Sequence, residues 1–178
     1  MKTQKGRLSP RGMMLVGIVR LVFLASLLVA GYGLTKLFFY TDPMVEKDYR
    51  SALESPVGDK VNAMYGFGVK AFEEWGDARR AKIWLSEAYN ELTKNTGLVP
   101  ADRRETASKI QHMLGVVNEA DEQFRLAIAA YEESLKSNPD NMDSKYNLER
   151  LKKKYPDLGG QKPDQQGGNA PGNKQKGI

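Results

Sequence analysis

Apolar residues are densest in one run near the N-terminus, residues 15–40, where only Arg20 and Lys36 are charged. A membrane-spanning helix needs about 20 mostly apolar residues. Long basic side chains near the ends of such a helix reach the membrane surface, and aromatic residues, here 38–40, gather at the same level. The pattern predicts a single transmembrane helix over residues 13–40 that contacts the lipid bilayer through residues 15–40.

The residues that flank this run predict its orientation. Residues 1–12 contain lysine and arginine but no acidic residue, whereas the other side begins with a segment that includes Asp42 and Glu46. Positively charged flanks stay in the cytoplasm. We therefore expect a cytoplasmic N-terminus, a helix in a bacterial inner membrane and a periplasmic remainder.

Two alternatives compete with an uncleaved anchor. One is a cleaved signal peptide, for which residues 31–33 are a candidate small-x-small site, although apolar sequence continues beyond them. The other is a buried helix of a soluble domain, but the run is long for such a helix.

After the run, residues 41–56 form a polar linker with Pro43 and Pro56 near its ends. Proline has no backbone N–H and disrupts the interior of a helix, so we expect Pro43 to end the membrane helix. Residues 46–53 are compatible with a short additional helix.

From residue 57 onward, apolar residues recur at steps of three and four, which is typical of one face of an amphipathic helix. Asp77 is a suitable cap for the second helix, and Gly97 suits the position after its C-cap. No segment alternates apolar and polar residues for long enough to predict a strand, so the fold class is all-α. Five helices are predicted over residues 57–156, with turns near residues 76–77, 95–97, 118–121 and 137–141. The aromatic residues expected in their core are Tyr65, Phe72, Trp75, Trp84 and Tyr89.

Charge and composition limit the possible partners. The net charge is +5, and its excess lies toward the two ends of the chain. A nucleic-acid-binding protein would carry basic residues along a folded face with stacking aromatics, so we expect no nucleic-acid partner. Residues 157–178 are rich in Gly, Gln and Lys and are predicted to be a disordered tail.

The chain offers little catalytic chemistry. It has no cysteine and one histidine, His112, so a metal site would need carboxylates around that single residue. The glutamate pairs at 73–74 and 132–133 are adjacent, and neighbours on a helix point about 100° apart, so they cannot face each other as acid and base. We expect no enzyme activity, no cofactor and no metal, and a surface or groove position for His112.

The segment from Leu114 to Pro139 resembles a tetratricopeptide repeat. Leu114 and Gly115 stand at the Leu-Gly pair, Ala127 at the small residue of the second helix, and Tyr131 at the following aromatic position. Pro139 stands at the closing proline. The resemblance implies stacked helical hairpins.

An earlier pair of helices, residues 62–95, matches the repeat less closely. Ala81, Leu85 and Ala88 match the second helix, but Gly68 is followed by valine where the Leu-Gly pair is expected. The resemblance therefore implies about two repeats and a capping helix. Fewer than three repeats are marginally stable, so further burial is expected from another chain or from residues 46–53.

A narrower resemblance covers residues 120–155. The turn at 138–140, the segment 143–149 and the Gly/Gln-rich tail resemble membrane-anchored repeat proteins of the BatC and MxaK type. These accompany MoxR-type ATPases and von Willebrand A-domain proteins in bacteria. The MxaK branch implies a role in assembling or activating a periplasmic methanol dehydrogenase.

The repeat register implies a concave groove for a protein partner, lined by the first helix of each pair. Its expected residues are Lys70, Glu73, Lys109, His112, Glu119, Tyr146, Arg150 and Lys153. We expect a membrane scaffold or assembly factor. The alternatives are a general periplasmic chaperone near the secretion machinery, a secreted soluble protein, and an accessory subunit of a membrane enzyme with lateral contacts through Gly17, Ala25 and residues 31–33. The oligomeric state stays open.

Overall fold

The computed structural model describes residues 10–94 and 97–158, and within these ranges the chain is helical without strands. The α-helices are α1 (Pro10–Lys36), α2 (Asp42–Val45), α3 (Tyr49–Glu54), α4 (Lys60–Glu73), α5 (Ala78–Thr93), α6 (Arg104–Ala120), α7 (Phe124–Ser137) and α8 (Met142–Lys154). Short 3-10 turns, Ala101–Arg103 and Pro156–Leu158, precede α6 and follow α8. The all-α class is confirmed.

The N-terminal helix is long and apolar enough to cross a membrane by length and composition. The apolar span extends over Met14–Val45, and its most apolar stretch is not buried against the rest of the chain. Leu21, Leu28 and Val29 are each at least 70% exposed. An apolar surface of this length in water is costly, so α1 needs an apolar environment that the helical bundle does not supply.

The expectation that Pro43 ends this helix is wrong. Residues Leu37–Thr41 form a π-helical turn, after which the amide of Asp42 donates to the carbonyl of Leu37. Pro43 then lies in the first turn of α2, where proline is tolerated because its missing N–H is not needed there. The helical path ends instead after Val45, and Lys47 adopts a positive φ of 59°.

The linker contributes more structure than its composition indicates. Asp48 caps α3, with its carboxylate accepting from the amide of Ser51 at 3.3 Å. Ala52 of α3 is buried, and the Tyr49 ring lies against Gly66 of α4. The short helix expected over residues 46–53 is therefore present, with bounds shifted by up to three residues, and it covers one face of α4.

Helices α4 to α8 form the bundle. The pairs α4/α5 and α6/α7 are antiparallel hairpins; α5 packs on α6, and α8 packs on α7. Asp77 caps α5 by accepting from the amide of Arg80 at 2.8 Å, as expected from the sequence. Gly97 has a positive φ of 67° and donates to the carbonyl of Thr93, which agrees with its expected place after α5.

Two apolar clusters form the core. The first joins α4, α5 and α6 around Leu85 and Ile110, and the second joins α7 and α8 around Tyr131 and Leu151. Leu158 packs against the second cluster, so order continues two residues past the expected domain end at 156. Residues 159–178 of the expected tail lie outside the described residues.

Two aromatic residues expected in the core, Trp75 and Trp84, lie outside both core clusters, and Trp84 is half-buried against Phe67. Trp75 is 46% exposed because α4 ends at Glu73, so helical periodicity no longer directs the side chain inward. Its ring stands edge-on to Phe67 at 5.4 Å, with the Arg80 guanidinium over its other face. Tyr65, Phe72 and Tyr89 do pack against the first core cluster.

Candidate partner-binding groove

A polar groove of about 400 Å³ lies between α4, α6 and the turn that joins α7 to α8. Tyr65 lines it from α4, Lys109 and His112 line it from α6, and Asn141 lines it from the turn. Helices α4 and α6 contact each other directly, which brings residues distant in sequence onto one concave face. Of the eight residues expected in a partner groove, Lys109 and His112 lie here.

The base of this groove is a buried network of hydroxyl groups. Ser108 of α6, Ser134 of α7 and Ser144 of α8 are all fully buried. The hydroxyl of Ser134 lies 2.9 Å from that of Ser108 and 2.8 Å from that of Ser144. The Asn141 amide donates to the hydroxyls of Ser108 and Ser134 at 2.9 and 3.2 Å. The network ties three helices together beside the groove, which Ser108 lines.

His112 connects the network to the groove. Its Nδ1 lies 2.9 Å from the Ser144 hydroxyl, and its ring is 5.6 Å from that of Tyr131. Burial lowers the pKa of His112, and the charge of Asp143 opposes this only in part. The neutral imidazole is thus the form that fits the site.

The serine–histidine contact does not present a nucleophile to solvent. The Ser144 hydroxyl is fully buried and already hydrogen-bonded to Ser134. Among the described residues, no group of three or more His, Asp and Glu side chains is placed to hold a metal ion. The chemistry that this groove offers is hydrogen bonding and charge pairing with a bound surface.

Three residues of the expected groove set belong to polar contacts along α6 and α8. Lys109 donates to Glu105 at 2.6 Å, and this hydrogen bond raises the pKa of Lys109. Arg150 donates through Nη2 to both Glu119 oxygens at 2.6 and 2.7 Å, which raises the pKa of Arg150. The phenol of Tyr131 donates to Glu119 at 3.3 Å, and burial raises the Tyr131 pKa.

The Glu119–Arg150 pair lines a second, smaller cavity of about 360 Å³ between α6, α7 and α8. Tyr146 and Lys153 are exposed on α8. Neither Lys70 nor Glu73 lines the groove. Lys70 donates to the carbonyl of Lys47 at 2.9 Å, so it joins α4 to the turn that follows α2.

A third cavity, which sequence reasoning missed, lies on the other side of α4. It measures about 510 Å³ and is lined by Leu53 of α3, Phe67 of α4 and Trp84 of α5, with Arg50 and Arg80 at its rim. The rings of Phe67 and Trp84 are 4.8 Å apart. In the sequence, Trp84 makes the apolar stripe of α5 wider than one helix face. This extra width is the sequence signal for the cavity, because it places an apolar side chain outside the core-facing side of α5.

Comparison of the chain with protein-family models, with curated proteins and with solved structures gives no match. The function therefore has to follow from the groove, the cavities and the apolar helix themselves.

Proposed function

We propose that the chain is a membrane-anchored protein-binding module that acts as a scaffold or assembly factor on the extracytoplasmic face. Two features together carry this proposal: the exposed apolar helix α1, and the open polar groove on the helical bundle that follows it. An anchor confines the bundle to the membrane, which raises its effective concentration near membrane partners.

The close approaches within the two hairpins support a tetratricopeptide-like array. A Cβ on Gly68 of α4 would meet Leu85 of α5 at 2.8 Å, and a Cβ on Gly115 of α6 would meet the Tyr131 ring of α7. Both hairpins thus place a glycine of the first helix against a large side chain of the second. Ala81 and Ala127, at the small position of each second helix, are fully buried.

Helix α8 acts as the capping helix in this proposal. It covers the apolar face of α7 with Leu148 and Leu151, while its outer side carries Lys145, Tyr146 and Lys153 to solvent. Helix α3 covers the other end of the array through Ala52. Two covered ends supply the burial that a two-repeat array lacks.

The proposed client binds in the groove through polar contacts. Glu105, Lys109 and Asp143 give the groove both signs of charge, and Tyr65 gives it an aromatic wall. The resemblance to MxaK-type proteins makes a periplasmic dehydrogenase one candidate client. A general periplasmic chaperone would use the same groove for many clients.

The test is co-purification from detergent-solubilised native membranes with matched charge reversals. Lys109→Glu reverses a groove charge, and Arg79→Glu reverses an exposed charge on α5, which contributes no residue to the groove. We expect a specific partner with the wild-type chain and with Arg79→Glu, and its loss with Lys109→Glu. Equal recovery with all three chains would contradict the groove as the binding site.

The orientation is tested separately, because the natural chain has no cysteine. Cysteines placed singly at Lys5 and at the exposed Ser86 react with a membrane-impermeant maleimide according to their side. We expect labelling at position 86 in spheroplasts and labelling at position 5 only after lysis. A leader cleaved after residues 31–33 would instead remove position 5 from the mature chain, which intact-mass measurement detects.

A second candidate function, an accessory subunit of a membrane enzyme, is favoured by the small residues of α1. A Cβ added at Gly17, Gly31 or Gly33 meets nothing within 4 Å, so these positions offer flat surface for another helix. Small residues let transmembrane helices approach closely. Gly31→Leu should then abolish co-purification at fixed stoichiometry while Lys109→Glu leaves it intact, which separates this function from the first.

A further inference from the structure

The contacts between the membrane helix and the bundle determine which end of the bundle is near the membrane. The Tyr40 hydroxyl donates to the Asp59 carbonyl at 2.8 Å, at the start of α4. Seven residues farther along the chain, the Lys47 ammonium pairs with Glu74 at 3.2 Å, and the Lys70 ammonium donates to the Lys47 carbonyl at 2.9 Å. Helix α4 therefore runs in the same direction as the apolar span, and its first turn lies beside Tyr40, five residues before the span ends at Val45.

A second contact places the start of α6 at the same end of the bundle as the start of α4. Arg103, just before α6, donates through Nη2 to the Asp59 carboxylate at 3.0 Å and pairs with it again through Nη1. Asp59 also accepts from the amide of Val61 at 3.0 Å. Burial acts to raise the pKa of Asp59, but the Arg103 and backbone hydrogen bonds outweigh it and hold that pKa below its usual value. The starts of α4 and α6 are thus joined side by side.

The connection between α5 and α6 lies at this same end. Helix α5 is antiparallel to α4, so its last residue, Thr93, is near the start of α4. We call residues 97–100 the membrane-proximal edge. Within it, the Val99 side chain packs against the first core cluster, whereas the Leu98 side chain is 72% exposed. The packed Val99 holds the neighbouring Leu98 outward.

If α1 spans a membrane, the exposed Leu98 side chain lies beside the apolar interior of the lipid bilayer. Lys94 and Arg104, which flank the edge, are exposed and suit a surface that contains phosphate headgroups. Lys94 also pairs with Glu91 at 3.1 Å, and the exposed Asp102 lies between the edge and Arg104. Met142 is also exposed at this end, but Asp140 and Asp143 beside it are unfavourable near anionic lipid, so Leu98 is the residue that fits the bilayer best.

We propose that the membrane-proximal edge rests in the bilayer interface, with the Leu98 side chain inserted among the lipids and Lys94 and Arg104 at the headgroups. This inference rests on the proposed function only in requiring that α1 spans the membrane. It adds a second lipid contact, so the bundle is held on the membrane surface in one orientation rather than tethered at a distance. The polar groove, whose Asn141 wall is at this same end, would then open close to the bilayer.

The experiment uses the full-length chain in vesicles of phosphatidylethanolamine and phosphatidylglycerol. Three single-cysteine variants carry an environment-sensitive nitrobenzoxadiazole label: Leu98→Cys at the edge, Leu126→Cys at the opposite end of the bundle, and Leu24→Cys in the span. Leu126 is the matched control because it is an exposed leucine, 50% accessible, at the start of α7. Spin-labelled lipids in the vesicles quench a label only if lipid reaches it.

We expect the Leu98 label to show blue-shifted emission and to lose most of its fluorescence to the spin-labelled lipids, as the Leu24 label does. The Leu126 label should remain water-exposed and unquenched. If the Leu24 label is quenched and the Leu98 label is not, the proposed edge contact is wrong, although α1 still spans the membrane. Unquenched labels at both positions would overturn the anchor and the edge contact together. A Leu98 label shielded from water but not quenched by lipid would mean that protein covers the edge, which also overturns the proposal.

Discussion

His112 shows how one residue couples the groove to the stability of the bundle. Its imidazole is half-buried, and burial lowers its pKa, so the folded state favours the neutral ring. It is the chain's only histidine. Any histidine-linked pH dependence of stability is therefore assigned to one site.

Acidification should destabilise the bundle through His112. Because its folded pKa lies below the unfolded value of about 6.5, the unfolded state binds the proton more readily and stability falls as the pH drops through that range. From about pH 7 to about pH 5 we expect the free energy of unfolding to fall, measured by urea unfolding in detergent micelles. His112→Asn, which keeps a polar atom near Nδ1, should flatten this dependence. An equal slope in both chains would refute the assignment.

Gly115 is the residue on which the packing of α6 against α7 depends most directly. A Cβ there would lie in the Tyr131 ring, which is fully buried and hydrogen-bonded to Glu119. The ring is part of the second core cluster, and moving it toward the cavity that it borders would disturb this packing and its hydrogen bond with Glu119.

Gly115→Ala should therefore destabilise the bundle, although alanine is the better helix former. Overpacking costs about 1–3 kcal/mol, and the gain in helix propensity returns about 1 kcal/mol. We expect a net loss of up to about 2 kcal/mol in urea unfolding followed by circular dichroism. Gly17→Ala, where an added Cβ meets nothing within 4 Å, is the control and should leave the bundle unchanged. Stabilisation by Gly115→Ala would show that the two helices are not in close contact.

At the scale of elements, α8 is held by polar as well as apolar contacts. Leu148 and Leu151 bury its apolar side, and the hydroxyl network attaches its first turn through Ser144. Asn141 caps the helix by accepting from the amide of Ser144 at 3.1 Å while its own amide enters the network. Every buried side-chain polar atom among the described residues has a hydrogen-bond partner.

Ser134 is the centre of this network, so its loss should loosen α8 first. Ser134→Ala removes the hydrogen bonds of Ser134 to Ser108 and Ser144, whose hydroxyls keep Asn141 and His112 as partners, at a cost on the order of 1 kcal/mol per hydrogen bond. We expect hydrogen exchange of the α8 amides to accelerate more than that of the α4 amides. Ser86→Ala, at an exposed position of α5, should change neither. Uniform acceleration across the bundle would instead indicate that α8 does not detach separately.

At the scale of the whole molecule, the end of the apolar N-terminal span packs against the bundle. The joint consists of the Tyr40 contact with Gly58 and Asp59, and of the Lys47 and Lys70 contacts above it. The π-helical turn before Pro43 keeps the path from α1 to α2 helical.

Tyr40→Ala should loosen this joint without unfolding the bundle. Spin labels on cysteines at Leu28 of α1 and Ser86 of α5, both exposed, report the distance across the joint by pulsed electron resonance. We expect a narrow distance distribution in the parent chain and a broad one with Tyr40→Ala. Phe39→Ala removes a neighbouring aromatic that is 58% exposed and should keep the distribution narrow. Equal widths for both variants would mean that Tyr40 does not hold the joint.

The sequence alone was sufficient for the helices of the bundle and for the apolar span. Helical periodicity, the Asp77 cap and the Gly97 turn act over a few residues, so their effects can be recognised locally. Of the residues expected in a partner groove, Lys109 and His112 line the polar groove, whereas Lys70 and Glu73 do not. Whether a partner binds there stays a prediction.

Only the tertiary structure decided how these elements meet. The network of Ser108, Ser134 and Ser144 joins residues from three helices, and no local pattern marks a serine as buried. The exposure of Trp75 depends on where α4 stops, and the position of Lys70 depends on the end of α2 that lies beside it. Side-chain direction along one helix is a local property, whereas contact between helices depends on the packing of the whole chain.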